Sequence, residues 1–294
     1  MVIGRTRRLS PISWLFVTAV VLVAGTWVVQ HPASRTRSVA GQRVVLWGDS
    51  LAWEAGAVFT RDVEADRHAT ALVRTWGGTA PCDWLPDLAV QLRAFRPTVA
   101  ALAFSGNEGT PCMRGRDLVA AYRADVGQAV DQLTAAGVAV VLVEAPPRSD
   151  QPVDAAGRTA LDRVWQRIAA DHRPGGVVTV APAGRVVTDN GRFTPTLHCT
   201  RGETCGPSGF VTVRSPDGTH FCPLTVPPMT PCPLPSPGAA RYGAAIAQAT
   251  LSAGADRERG SGDPAGGRDA ASRDGTAVQA ELIPPGQVGT VRHP

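Results

Sequence analysis

The sequence predicts an α/β fold, with a central parallel sheet of about five strands and helices on both faces. Two observations predict it. Short runs rich in Val, Leu and Ala alternate with longer amphipathic segments across residues 43–251. The short runs are largely apolar, as expected of strands in a sheet with helices on both faces.

The elements follow in order. Residues 43–47 (RVVLW) read as the first strand, and residues 51–61 as a helix with Ser50 at its start. Residues 70–76 (TALVRTW) read as the second strand, followed by an amphipathic helix over 85–95 that ends before Pro97. Residues 98–104 (TVAALAF) give the third strand. A long helix over 116–136 closes at Gly137, a residue suited to the left-handed position after a helix. Residues 138–143 (VAVVLV) form the fourth strand, 155–172 a helix ended by Pro174 and two glycines, and 177–180 (VVTV) the fifth strand. Residues 184–235 break the alternation with four cysteines and many prolines, and read as a stapled loop region. Ser236-Pro237 then supplies an N-cap and a proline at the first helical position, for a helix running to about residue 251. From 252 to 294 the chain has no aromatic residue and is rich in Gly, Ala, Ser, Asp and Arg, so a disordered tail is expected.

The N-terminus reads differently. Residues 11–29 are 19 consecutive uncharged residues, about 29 Å long as a helix and close to the thickness of a bilayer core. Arg5, Arg7 and Arg8 precede them, which places the short N-terminus in the cytoplasm. Residues 1–30 are thus expected to be a membrane-spanning signal anchor, with a cleaved signal peptide as the alternative. Residues 31–42 are a polar linker. On either reading the chain beyond it lies outside the cytoplasm, at the cell membrane or secreted.

The six cysteines agree with an oxidising compartment. Short separation suggests the pairs Cys199–Cys205 and Cys222–Cys232, leaving Cys82 with Cys112. A zinc site built from His198 and the last four cysteines is the alternative, but their spacings are not those of a zinc module, so no metal is expected.

A sequence pI near 9.0 and a net charge of +4 would ordinarily suggest nucleic acid as a partner. Six arginines and no acid lie in residues 1–43, however, which leaves −2 for the rest of the chain. The basicity belongs to the membrane-proximal end, and no nucleic-acid partner is expected. All 29 basic residues are Arg, which excludes Schiff-base and P-loop lysine chemistry. Gly and Pro make up about 19% of the chain, short of the roughly 25–30% that marks low complexity.

Candidate site residues fall at the carboxyl ends of the strands, where open parallel sheets bind their ligands. Gly48-Asp49-Ser50 follows the first strand, and places a serine at a helix N-terminus whose unsatisfied N–H groups favour developing negative charge. Asp217-Gly218-Thr219-His220 precedes the last helix, and can supply a base for that serine with a carboxylate to orient it. Gly77-Gly78 ends the second strand and Ser105-Gly106-Asn107 the third, offering a backbone N–H and a side-chain amide as oxyanion donors. Each piece alone also fits an ordinary turn or cap. Trp53, Trp76 and Trp84 lie near the same loops, where packing is the favoured role and an acyl or sugar platform the alternative. His68, His172 and His198 carry no partner pattern.

Together the blocks VLWGDSLAWEA, TWGGTAPCDW, FSGNEGTPCM and SPDGTHFCP resemble the SGNH family, also called GDSL-type hydrolases, in the same order over residues 43–251. The resemblance implies a three-layer α/β/α, flavodoxin-like fold and an esterase that needs no cofactor. It implies Ser50 as nucleophile, His220 as base and Asp217 as its orienting carboxylate. It implies an oxyanion hole made by the N–H groups of Ser50 and Gly78 and by the Asn107 amide. The expected substrate is an O-acyl ester, on a glycan or a lipid, cleaved through an acyl-serine. An O-acyltransferase acting on envelope glycans and a catalytically silent glycan-binding module are the alternatives.

Overall fold

A computed structural model describes residues 41–172, 177–222 and 236–260. The signal anchor expected over 1–30, Cys232 and residues 261–294 lie outside the described residues, as does all but the end of the 31–42 linker. Among the described residues, no helix is long and apolar enough to cross a membrane.

Five strands form one parallel sheet: β1 (Gln42–Gly48), β2 (Ala69–Thr75), β3 (Val99–Ala103), β4 (Ala139–Val143) and β5 (Val178–Ala181). Their spatial order is β2-β1-β3-β4-β5. This is the flavodoxin-like order, and its switch point lies between β1 and β3. The helices that connect and follow the strands are α1 (Ser50–Glu64), α2 (Pro81–Ala94), α3 (Leu118–Ala135), α4 (Ala160–Asp171) and α5 (Pro237–Gly260).

The pleat sorts the core into two layers. Val44 and Leu46 of β1, with Val99, Ala101 and Ala103 of β3, pack against Phe59 of α1 and Tyr242 and Ile246 of α5. Val45 and Trp47, with Ala100 and Leu102, face the other way onto Leu88 of α2, Tyr122 and Val126 of α3 and Trp165 of α4. The buried indole of Trp47 donates to Asp87 Oδ2 at 2.9 Å, and Arg74 pairs with the same carboxylate at 2.7 Å. The two bonds fix α2 against both β1 and β2.

Several helix ends differ from the sequence reading. The first helix is capped by Asp49, whose side chain accepts from Leu51 N, so Ser50 is the first helical residue and not the cap. The second helix starts at Pro81 rather than 85, because Pro81 suits the first turn and the Asp83 carboxylate accepts the Ala80 N–H at 2.8 Å. The fourth starts at Ala160 rather than 155, at a capping box formed by Thr159 and Asp162. The last helix runs to Gly260, nine residues beyond the expected end at 251. Ala253 is buried in the core, and Arg257 donates to the Gly137 carbonyl at 2.9 Å, so packing carries the helix through a stretch whose composition reads as disordered. Within the cysteine-rich region the structure adds a two-stranded antiparallel hairpin, β6 (Thr196–His198) and β7 (Phe210–Thr212).

Asp162 caps α4 from a buried position close to Glu144, and burial raises its carboxyl to about 6. A carboxyl with a raised folded-state pKa favours the folded state while protonated, so this contribution is lost as pH rises from about 4 through 6. We expect Asp162→Asn, which keeps an acceptor for the Thr159 N–H, to gain stability relative to the parent by up to about 3 kcal/mol between pH 4 and pH 7. Denaturant unfolding of both proteins at the two pH values checks this. A pH-independent difference would contradict it.

Candidate active site

The site is assembled at the carboxyl ends of β1, β2 and β3 and on the loop before α5. Gly48 ends β1 where a Cβ would strike Ala52 and the Ala103 carbonyl, so only glycine lets α1 start this close to β3. Asp49 follows with no exposed surface. Its Oδ1 accepts from Leu51 N at 3.1 Å, and its Oδ2 accepts from Ser105 N at 2.6 Å, Ser105 Oγ at 2.7 Å and Asn107 Nδ2 at 3.2 Å. Burial pushes the Asp49 carboxyl up, against the pull of the bonds from Ser105 and Leu51.

Ser50 is 5% exposed and occupies the first position of α1, where the backbone N–H has no acceptor within the helix. Its Oγ lies 3.0 Å from His220 Nε2, across 170 positions of sequence. His220 Nδ1 lies 2.7 Å from Asp217 Oδ2. Asp217 Oδ1 accepts the N–H groups of Thr219 at 2.8 Å and His220 at 3.0 Å. Partial burial raises the Asp217 carboxyl, but the bonds from His220 and Thr219 outweigh it and hold the group below the ordinary carboxylate value. The three residues expected to act together therefore form one chain of contacts.

The expected oxyanion donors lie beside it. Asn107 Nδ2 donates to Asp49 Oδ2 and to the Thr79 carbonyl, each at 3.2 Å, and the Asn107 carbonyl accepts from Tyr122 OH at 2.8 Å. The same amide thus touches both the nucleophile turn and the loop that carries Gly78. Gly78 is exposed, with a left-handed φ of 75° and open space around it.

Three residues that the sequence left without a role complete the frame. Asp49 belongs to a motif already singled out, but its inward direction is not visible in the chain. Glu54 lies four residues after Ser50 and accepts the N–H groups of Phe221 at 2.7 Å and Cys222 at 3.3 Å. The spacing of one helical turn was the signal for it. Burial raises the Glu54 carboxyl, although those N–H groups and His220 pull it down. Arg214 is 1% exposed and donates to Pro147 O at 3.1 Å and to Thr219 O at 2.5 Å. Its guanidinium lies 5.2 Å from the Phe193 ring and 5.4 Å from the Phe221 ring, and burial lowers it to about 10.

Two of the expected disulfides are present, Cys82–Cys112 and Cys199–Cys205. Cys222 is disulfide-bonded, and its expected partner Cys232 lies outside the described residues. Cys82–Cys112 joins the first turn of α2, just after Gly78, to the short 3-10 turn Pro111–Met113, just after Asn107. Among the described residues, Cys82, Asp83 and Cys112 cluster as potential metal ligands, but both sulfurs are spent in that bond. His198 packs at a tilt against Phe210 with centroids 4.0 Å apart, a packing role.

A profile for a family described as proteins of unknown function, DUF459, matches residues 43–224. The chain belongs to the DUF459 family. Comparison with curated proteins gives no match for this DUF459 chain. Solved structures similar to it include a lipase/acylhydrolase from Enterococcus faecalis, at 18% identity over 71% of this chain and 94% of that one, with a TM-score of 0.46. A GDSL-like lipase from Bacteroides thetaiotaomicron aligns at 12% identity over 81% and 97%, with a TM-score of 0.45. An alpha/beta hydrolase enzyme from a Lake Arreo metagenome aligns at 14% identity over 74% and 96%, with a TM-score of 0.47.

Arg214 grips the turn between Asp217 and His220 through the Thr219 carbonyl, so its planar fork positions the His220 imidazole. Arg214→Lys keeps the charge and loses the fork. We expect labelling of Ser50 by a fluorophosphonate to slow about tenfold or more, with circular dichroism unchanged. Labelling at the parental rate would show that the turn holds its geometry without the guanidinium.

Proposed function

We propose that the protein is an SGNH-type serine esterase that removes O-acyl groups outside the cytoplasm. The single observation that carries the reading is the unbroken contact chain from Asp217 through His220 to Ser50, with 2.7 and 3.0 Å between the reacting atoms. It lies at the switch point of the sheet, where the fold favours ligand binding. Placement outside the cytoplasm is supported by the uncharged run over 11–29 and by the disulfides. The proposed partners are accordingly the membrane, through that run, and an acylated glycan or lipid.

The residues divide the reaction as follows. His220 Nε2 takes the proton of Ser50 Oγ as the oxygen attacks the ester carbonyl. Asp217 fixes the imidazole tautomer through Nδ1 and stabilises the imidazolium. The carbonyl oxygen becomes an alkoxide, which the N–H of Ser50 at the positive end of α1 stabilises, together with the Gly78 N–H and the Asn107 amide. The amide's two existing bonds are at the long end of the normal range, so an oxyanion competes well for one of its hydrogens. Collapse expels the alcohol, which takes its proton from His220. Water, activated by the same imidazole, then releases the acid and restores Ser50.

In the full chain, Ser50→Ala should reduce p-nitrophenyl acetate hydrolysis by at least about a thousandfold and abolish fluorophosphonate labelling. Hydrolysis that survives this substitution would refute the esterase reading. Acetylated product formed when a glycan acceptor is added would mark transfer to a hydroxyl instead of to water. The Cys82–Cys112 bond braces the two loops that carry Gly78 and Asn107. Replacing both cysteines by alanine should therefore lower kcat about tenfold while changing KM less. An unchanged kcat would show that the loops keep their places unaided.

A further inference from the structure

An aromatic pair beside Ser50 takes no part in the chemistry above. Trp53 lies one turn along α1 from Ser50, on the same side of the helix. Trp76 follows β2, and its N–H donates to the Gly48 carbonyl at 3.2 Å, next to the nucleophile turn. The two side chains stack with ring centroids 5.5 Å apart and 16° between planes. Stacking covers one face of the Trp76 indole, yet the residue is 63% exposed, more than any other large hydrophobic among the described residues. Its second face is therefore open to solvent. Trp84 provides the contrast. It is half-buried, its indole N–H donates to Thr79 Oγ1 at 3.0 Å, and Arg74 lies over its ring at 6.0 Å, so it packs rather than binds.

We propose that Trp76, held flat by Trp53, is a stacking platform for a sugar ring, so that the alcohol part of the ester is a carbohydrate. The inference rests on the esterase reading for its position in a reaction, but the binding site is independent of turnover. A flat, open indole face withdraws only one side of a ligand from water. That suits a pyranose, which has apolar C–H faces and a girdle of hydroxyls that stay hydrated. An acyl chain has no polar edge and gains most from enclosure on all sides. The cavity that Trp53 borders along α1 is about 1070 Å³, just above the usual range for small-ligand sites, and neither Ser50 nor Trp76 lines it. Its walls are mostly apolar, Val58, Val73 and Pro237 among them, so the sugar reading rests on the indole face and not on this cavity.

Two measurements test the platform. In the first, the full chain hydrolyses monoacetylated tetrasaccharides of glucose, xylose, mannose and N-acetylglucosamine, alongside ethyl acetate and ethyl octanoate. Trp76→Ala should lower the ratio of kcat/KM for the best sugar ester over that for ethyl acetate about tenfold, mainly through KM, and Trp76→Phe should restore most of it. An unchanged ratio overturns the proposal. So does a loss confined to octanoate over acetate, which would assign the indoles to an acyl chain. In the second, unacetylated tetrasaccharides are titrated into Ser50→Ala while tryptophan fluorescence is followed. Saturable change with at least one sugar, absent in Ser50→Ala/Trp76→Ala, supports the platform. Binding of this kind in a protein inactive on every ester would overturn the esterase reading and leave the platform standing. Ester hydrolysis with no dependence on Trp76 in either measurement would overturn the platform alone.

Discussion

The carboxyl edge of the sheet is organised around one buried carboxylate. Asp49 has no exposed surface, and its two oxygens gather four donors from two separate strand ends. Removing such a group from water costs several kcal/mol unless donors replace the lost hydration. The replacements are the start of α1 and the Ser105–Asn107 loop, so satisfying the carboxylate sets the position of both. Ser50 needs no further bond to be placed, because it lies between the cap and the first turn. Asn107 is then shared between Asp49 and the Thr79 carbonyl, which brings the third loop into the same arrangement.

The other half of the site is held from two sides. Glu54 reaches from α1 to the backbone just after His220, and Arg214 reaches to the backbone just before it. The Ser236 hydroxyl that caps α5 donates to the Phe221 carbonyl at 2.8 Å while accepting the Ala239 N–H at 3.2 Å. The histidine turn is thus bonded to the nucleophile's own helix and to the cap of the last helix. Motion of the base relative to Ser50 requires breaking bonds within the packed body, and not merely bending an exposed loop.

Much of this was legible in the chain. Apolar runs marked all five strands to within a residue or two; β1, β3 and β4 are buried on both faces, while the edge strand β2 is only partly covered and carries Thr70, Arg74 and Thr75. The contact of Ser50 with the Asp217–His220 turn was legible because the expected chemistry needs fixed residue types at short spacing. What escaped was set by partners far along the chain. The cap at Asp49 could not be told from one at Ser50, since its choice depends on Ser105 and Asn107 more than fifty residues away. Nothing in the chain singled out Arg214, because its partners, Pro147, Phe193 and the Thr219–Phe221 turn, come from three separate segments. The last turns of α5 looked disordered by composition, and only the Ala253 and Arg257 contacts reveal why they stay helical.

The relay has an uneven geography along the chain. Asp217 and His220 are three residues apart, but Ser50 is 170 residues before His220. A ribosome therefore delivers the serine near the start of the domain and the base near its end, with the helix that backs the histidine turn following last. Until the histidine turn and that final helix dock against α1, Ser50 lacks its contact with His220. Long-range closure of this kind is slow to form and comes late in folding. The Asp217–His220–Ser50 contact thus reports that the whole domain, rather than any local motif, has closed.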